Sequence, residues 1–273
     1  MGGAVAPLRK HGHGRWIGAV MAFASVLAWA APAGAATTTS TSNPYSSSSS
    51  GYDVSYPNCS ETPPGGFAIV GLGGGRPFTT SSCLASEWTT AQSRFMVAPS
   101  GTPAPALYFN TGYAGAYTRD IIQSACGNYA GPALAGTSKH DQSTYTTAWE
   151  IGCSEAAYAA VVATANSESP SMWWADIETG NSWSTNKIVN QYTVDGLSYE
   201  MQHIASTLGL AGVYSYPAAW DKIVGSGFIP TPPFAGDWGP TVTCTSSGFG
   251  GATVWIVQQG LSSSGVDTDS GCG

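Results

Sequence analysis

The chain has 273 residues, with 9 lysines and arginines against 16 aspartates and glutamates, and a formal charge of −7. This length is typical of one α/β barrel or one large sandwich, so we predict a single domain of catalytic size. An acidic chain with so few cations cannot form the basic stripe that nucleic acid requires, which excludes nucleic-acid binding.

The first 35 residues have the features of a secretory signal peptide. Arg9, Lys10 and Arg15 precede an apolar stretch at 16–30, and the small residues Ala33-Gly34-Ala35 form a cleavage site. The stretch is short for a membrane span, so we expect no span after cleavage, with an uncleaved anchor as the alternative. Cleavage removes three cations and no anion, which leaves six cations against 16 anions, a charge of −10, on a secreted, extracellular protein. Association with a cell wall is a further expectation.

Residues 36–50 follow the cleavage site and are rich in Ser and Thr, with almost no apolar residues. Such a composition predicts a flexible tether. We therefore expect the ordered domain to span residues 51–273.

Short apolar runs then alternate with longer segments of helical character. The predicted strands lie at 51–55, 66–72, 105–110, 171–178, 211–216, 233–237 and 252–258. The predicted helices lie at 83–97, 145–166 and 186–208. Strands that are apolar nearly throughout and separated by helices favour a parallel sheet covered on both faces. We predict an α/β fold, an irregular (β/α) TIM-like barrel with some helices missing. An open doubly wound sheet is the alternative.

Six cysteines follow the cleavage site, and an even number in a secreted chain indicates disulfides that staple the loops. Many connectivities are possible, but the barrel places sequence neighbours on adjacent loops, where pairing needs no long-range crossing. The predicted pairs are Cys59 with Cys83, Cys126 with Cys153, and Cys244 with Cys272. Each closed loop would stabilise the fold by roughly 3 kcal/mol. No CxxC spacing occurs, so we expect no metal site.

Carboxylates cluster where a barrel would use them. Asp176 and Glu178 end the fourth predicted strand, and Asp53 lies in the first. Residues i and i+2 of a strand point the same way, and the carboxyl ends of barrel strands carry active sites. Burial and like charge raise one carboxyl pKa, as glycosidic hydrolysis needs. The alternative is that these side chains cap helices or accept hydrogen bonds from loop amides.

Several side chains near strand ends are candidates for substrate binding. The glycine-rich run 71–75 predicts a close-approach loop, in which Arg76 could contact a substrate carboxylate or simply face solvent. Aromatic faces stack on sugar rings, although ordinary packing is the alternative for each. The aromatic candidates are Tyr113, Trp183, Tyr216 and Trp238.

Three segments, in order, carry a resemblance to a known family. They are Gly51-Tyr52-Asp53-Val54-Ser55, Trp174-Ala175-Asp176-Ile177-Glu178, and Trp255 and Gln258 followed by Gly265-Val266-Asp267-Thr268-Asp269. They resemble the opening strand, the D-x-E strand and the closing segment of family 25 glycoside hydrolases, the Chalaropsis-type lysozymes. The resemblance covers roughly residues 51–270. The segment 71–78 lacks the usual lysine, and with Trp173-Trp174 and Asn181-Ser182-Trp183 it is closer to a secreted glycoside-hydrolase-like branch of TIM barrels.

The resemblance implies roles for four carboxylates. Glu178 would be the general acid, and Asp176 would position the substrate or assist a neighbouring N-acetyl group. Asp53 and Asp267 would complete the acidic pocket. The implied reaction cleaves the β-1,4 bond between N-acetylmuramic acid and N-acetylglucosamine in peptidoglycan, without metal or cofactor.

The leading hypothesis is therefore a secreted, monomeric, lysozyme-like glycosidase acting on peptidoglycan or a related polysaccharide. The alternative is a catalytically silent carbohydrate- or cell-wall-binding protein on the same barrel, which the altered segment 71–78 favours.

Overall fold

Eight strands close into a barrel in the computed structural model, which describes residues 42–127, 138–208 and 210–273. The strands are β1 (Ser50–Val54), β2 (Phe67–Gly71), β3 (Ala106–Asn110), β4 (Met172–Asp176), β5 (Leu210–Tyr214), β6 (Gly236–Gly239), β7 (Thr253–Leu261) and β8 (Asp267–Gly271). Closure confirms the predicted barrel and excludes the open doubly wound sheet. The predicted signal peptide, residues 1–35, lies outside the described residues.

The helices cover the outside of the barrel. They are α1 (Leu84–Phe95), α2 (Gln123–Cys126), α3 (Lys139–Ala165), α4 (Lys187–Leu208) and α5 (Pro217–Ile223), with 3-10 turns at Tyr56–Asn58 and Gly115–Asp120. The three predicted helices correspond to α1, α3 and α4. Helix α3 begins at Lys139 rather than 145, because the Ser138 hydroxyl accepts a hydrogen bond from the Asp141 N–H, 3.1 Å away, and caps the first turn.

Neighbouring strands from β1 to β7 pair in parallel, as their apolar sequences predict. The eighth strand differs, because β8 runs antiparallel to both β1 and β7. It was not predicted as a strand, since Asp-Thr-Asp-Ser-Gly contains no apolar run. Its reversed direction brings its first residue, Asp267, level with Asp53 of β1.

Strand residues alternate between two apolar layers. On β4, Trp173 and Ala175 pack outward against the helices, in a cluster that also contains Leu197 and Met201 of α4. Trp174, between them in sequence, points into the barrel. This period of two is the geometry of a pleated strand, and it decides which side chains can reach the inside of the barrel.

The barrel floor, by which we mean Tyr45, Phe67 and Trp174, closes the end at which the parallel strands begin. Tyr45 is 1% exposed, and its ring centroid lies 4.8 Å from that of Phe67 and 6.1 Å from that of Trp174. The Gly273 N–H donates to the Tyr45 carbonyl at 2.8 Å. The prediction of a tether over 36–50 is therefore wrong from Tyr45 onward, because an aromatic side chain within that polar segment is buried in the barrel.

The three disulfides join the predicted pairs, Cys59–Cys83, Cys126–Cys153 and Cys244–Cys272, with Cα–Cα distances of 5.5, 5.8 and 5.1 Å. Cys59–Cys83 ties the loop after β1 to the start of α1, Cys126–Cys153 ties α2 to α3, and Cys244–Cys272 ties the loop after β6 to the residue after β8. Within the described ranges, no helix is both long enough and apolar enough to span a membrane.

Candidate active site

A cavity of about 130 Å³ opens at the end of the barrel where the parallel strands finish, which we call the mouth. Its lining residues are Asp53, Tyr108, Asp176, Glu178, Tyr214, Trp238, Gln258 and Asp267. The four carboxylates predicted from the sequence therefore meet in one place. The lining contains no Lys, Arg or His side chain to balance their charge.

Local backbone geometry explains why these carboxylates meet. Asp176 is the last residue of β4, and Glu178 follows it by two positions, so both side chains face the cavity. Asp53 on β1 is the register partner of Asp267 on β8. Asp176 is 4% exposed, whereas Glu178 is only partly buried and is the more accessible of the two.

Asp176 is held from the neighbouring strand and loop. The Asn110 amide on β3 donates to Asp176 Oδ2 at 2.6 Å, while the Thr111 hydroxyl donates to the Asp176 carbonyl at 2.6 Å. The Asn181 amide donates to the same carbonyl at 3.1 Å. Asp176 Oδ1 is buried and has no protein partner among the described residues. One carboxyl oxygen is therefore fixed by the protein, and the other is buried without a protein partner.

Asp53 lies in a second hydrogen-bond network. The Tyr214 hydroxyl donates to Gln258 Oε1 at 2.7 Å, and Gln258 Nε2 donates to Asp53 Oδ2 at 3.2 Å. Asp53 also lies near Asp269, whose charge raises the pKa of Asp53 and whose Oδ1 accepts from Trp238 Nε1 at 2.8 Å. Asp269 was not predicted as a site residue, and it is buried beneath the cavity at 2% exposure.

Burial raises the pKa of all these carboxyl groups. The pKa of Asp176 rises to about 8, first by burial and then by the charge of Glu178, against the hydrogen bond from Asn110. Burial and the charges of Asp269 and Asp267 raise the pKa of Asp53 well above its ordinary value. Burial and Asp267 raise the pKa of Glu178. The cavity thus favours the protonated forms of its carboxyl groups, and because the groups lie close together each one's titration depends on the others.

Aromatic rings form one wall of the cavity. Trp238, a predicted binding residue, is present, with its ring centroid 4.4 Å from that of Tyr214 and 6.0 Å from that of Tyr108. The two tyrosines and Gln258 were missed. The strand period could have identified Tyr108, because it precedes Asn110 by two residues and therefore points the same way.

The other predicted binding residues do not line the cavity. Arg76 is exposed in the loop after β2. Tyr113 packs against Tyr145 and Val189, and Tyr216 turns outward because α5 begins directly after it. Trp183 donates from Nε1 to the Glu178 carbonyl at 2.8 Å and lines an adjacent groove. Within the described parts of the chain, His, Cys, Asp and Glu ligand atoms cluster closely enough for a metal only at Cys59, Cys83 and Glu87, where both sulfurs form the disulfide.

Comparison with known proteins finds similarity to solved lysozyme structures. The muramidase from Acremonium alcalophilum is 13% identical with a TM-score of 0.49, over 82% of this chain and 93% of that one. A family GH25 lysozyme from Aspergillus fumigatus is also 13% identical with a TM-score of 0.49, over 83% and 94%. The lysozyme from Streptomyces coelicolor is 12% identical with a TM-score of 0.48, over 84% and 94%. No protein-family model and no curated protein matches the chain. At such low identity, the function of this chain has to rest on the residues of its own cavity.

Proposed function

We propose that this chain is a secreted glycoside hydrolase that cleaves β-1,4 bonds in peptidoglycan or a related polysaccharide. The observation that supports it best is the convergence of Asp53, Asp176, Glu178 and Asp267 on one cavity at the barrel mouth, with no cation among the residues that line it. Most glycoside hydrolases use two carboxyl groups, one protonated and one ionised, on either side of the bond that breaks. The sugar ring carries positive charge in the transition state.

Glu178 is the general acid in this proposal. It is the less buried of the two carboxylates on the β4 end, and burial and the charge of Asp267 raise its pKa, which favours its protonated form. That proton passes to the glycosidic oxygen as its bond to the anomeric carbon breaks. Water then adds to that carbon and gives a proton to the Glu178 carboxylate, which restores the acid.

The remaining carboxyl groups act on the sugar itself. The protonated Asp176 donates a hydrogen bond to a hydroxyl or N-acetyl group, because its pKa of about 8 keeps it neutral at pH 7. Asp267, which is less buried than Asp53, is the ionised carboxylate that stabilises the positive charge developing on the ring as the glycosidic bond breaks, and Asp53 completes the acidic pocket. The wall of Tyr108, Tyr214 and Trp238 covers an apolar sugar face.

Peptidoglycan is proposed as the substrate because three sequence segments, at 51–55, 174–178 and 255–269, resemble family 25 lysozymes in the same order. Secretion is proposed from the basic and apolar pattern of residues 1–35, and three disulfides fit an oxidising compartment.

The test is the release of reducing ends from purified peptidoglycan. Glu178→Gln keeps the shape of the side chain and removes its proton, so we expect activity to fall at least about a hundredfold. Glu61→Gln makes the same chemical change at an exposed glutamate outside the cavity and should act like the wild type. If the wild type releases no more than Glu178→Gln while both bind the polymer, the hydrolase proposal fails and the barrel is a binding protein.

A further inference from the structure

A second depression is lined by residues that follow Glu178 closely in the chain. It is a groove of about 380 Å³ between the loop from β4 to α4 and the end of α5. Thr179, Asn181 and Trp183 line it on the loop side, and Lys187 and Lys222 line it where α4 begins and α5 ends. We call this the lysine groove.

The charge of the lysine groove is opposite to that of the cavity. Two of the six cations that follow residue 35 line it, and none of its lining residues is acidic. Lys187 Nζ lies 3.4 Å from Asp221 Oδ1 in a pair that is about half exposed on both sides. Lys187 Nζ also donates to the Asp221 carbonyl at 2.5 Å. An exposed pair of this kind is weak, and an ammonium group has three N–H donors, so Lys187 can still meet another anion. Lys222 is exposed and makes no ion pair within the described residues.

The lysine groove is already formed, because one buried side chain joins its two walls. Asn190 is 1% exposed, and its Oδ1 accepts from the Ser184 N–H at 2.9 Å. Its Nδ2 donates to the carbonyls of Ser184 and Ile223, both at 2.9 Å. A groove fixed in this way loses little conformational entropy when it binds a ligand.

Two residues of the lysine groove hydrogen-bond the backbone of the segment that carries Asp176 and Glu178. Trp183 donates to the Glu178 carbonyl at 2.8 Å, and Asn181 donates to the Asp176 carbonyl at 3.1 Å. Both residues also line the groove. A polymer whose scissile bond lies at Glu178 would therefore continue over Trp183, whose ring can stack on a further sugar.

From this arrangement we propose that the lysine groove binds an anionic substituent of the glycan, a carboxylate or a phosphate, through Lys187 and Lys222. The inference rests on the proposed function, since it takes a glycan as the ligand. It assigns to these lysines the anion-binding role that the sequence suggested for Arg76, which is exposed in the β2–α1 loop and does not line the cavity.

The test measures binding to insoluble peptidoglycan by sedimentation, with the full chain carrying Lys187→Gln and Lys222→Gln together. We expect binding to weaken about tenfold at low salt, and the difference to shrink as salt screens the charges. Lys139→Gln removes an exposed cation at the start of α3 and serves as the matched control. Circular dichroism and thermal unfolding confirm that each variant is folded.

The ligand side of the test uses two modified polymers. Amidation by carbodiimide and ammonia neutralises the carboxylates, and hydrofluoric acid removes phosphodiester-linked chains. The wild type should lose about tenfold in affinity for one of them, which identifies the anion, and the double variant should bind native and modified polymer alike. The inference is overturned if the wild type binds all preparations equally, or if the double variant discriminates as the wild type does.

Binding requires no hydrolysis, so the two proposals fail separately. If the chain binds through the lysines but releases no reducing ends, the proposal for the lysine groove stands and the hydrolase proposal fails. If the chain hydrolyses peptidoglycan but the double variant binds it as well as the wild type does, the hydrolase proposal stands and the proposal for the lysine groove fails.

Discussion

The floor and the mouth of the barrel are built from the same strands but have opposite chemistry. At the floor, Tyr45, Phe67 and Trp174 bury aromatic rings against one another. At the mouth, carboxyl groups are buried without a cation. On β4 the inward-facing side chains change from apolar to acidic within two residues, because Trp174 and Asp176 are successive inward-facing positions.

The floor stabilises the fold by burying apolar rings, whereas the mouth destabilises it by burying carboxyl groups. Removing Trp174 from water is favourable, whereas burying Asp176 disfavours its charged form and raises its pKa to about 8. The mouth residues are therefore poor choices for stability alone. The floor, the outer helical layer and the disulfides must offset their cost.

The largest effect on stability is expected from a substitution in the barrel floor. Trp174→Ala removes a side chain that is 0% exposed and leaves a cavity, so we expect the free energy of unfolding to fall by about 3–5 kcal/mol. Denaturant unfolding with the disulfides intact measures it. A loss of less than about 1 kcal/mol would mean that the floor collapses around the gap and is not a rigid part of the fold.

At the mouth, a substitution should separate activity from stability. Asp176→Asn keeps the size of the side chain and an oxygen to accept from Asn110, but it removes the ionisable proton. We expect reducing-end release to fall by about tenfold, less than in Glu178→Gln, because the amide can still donate a hydrogen bond to the sugar, while the free energy of unfolding stays the same or rises. Asp120→Asn, in a surface pair with Arg119, is the control. Clear destabilisation by Asp176→Asn would show that this carboxyl group is structural.

The contrast also predicts how stability depends on pH. The pKa of Asp176 is about 8 in the folded protein against an ordinary 3.8, so the native state binds its proton more tightly than the unfolded state does. The stabilisation is complete below about pH 4 and is lost as pH rises through 8. We expect the Tm to fall by about 5 °C between pH 5 and pH 8, and by less in Asp176→Asn. A wild-type Tm that rises over this range contradicts the buried acidic mouth.

The sequence predicts the mouth better than the floor, for a physical reason. Asp176 and Glu178 follow an apolar strand at a spacing of two, and that local pattern places them on one side. The Asp53 position follows from the first strand in the same way. What local patterns cannot reveal is pairing between distant segments, which is why β8 and the buried Asp269 were missed.

The floor depends on Tyr45, whose neighbours in sequence give no sign that it is buried. Tyr45 lies among serines, so composition predicts a tether, and only the three-dimensional contact with Phe67 and Trp174 buries it. Arg76 and Tyr216 show the converse error. Both follow strands closely in sequence, but the chain turns away before their side chains can reach the cavity.

The smallest effect is expected from a substitution that separates the hydrogen bond of the Tyr45 hydroxyl from the packing of its ring. Tyr45→Phe keeps the ring and removes the oxygen that accepts from Trp174 Nε1 at 3.3 Å, leaving that buried N–H without its partner. We expect a loss of about 1 kcal/mol in the free energy of unfolding. Tyr45→Ala also removes the ring and should cost about 3 kcal/mol. If neither substitution changes stability, the segment before β1 is the tether that its composition predicts, and the floor is closed by Phe67 and Trp174 alone.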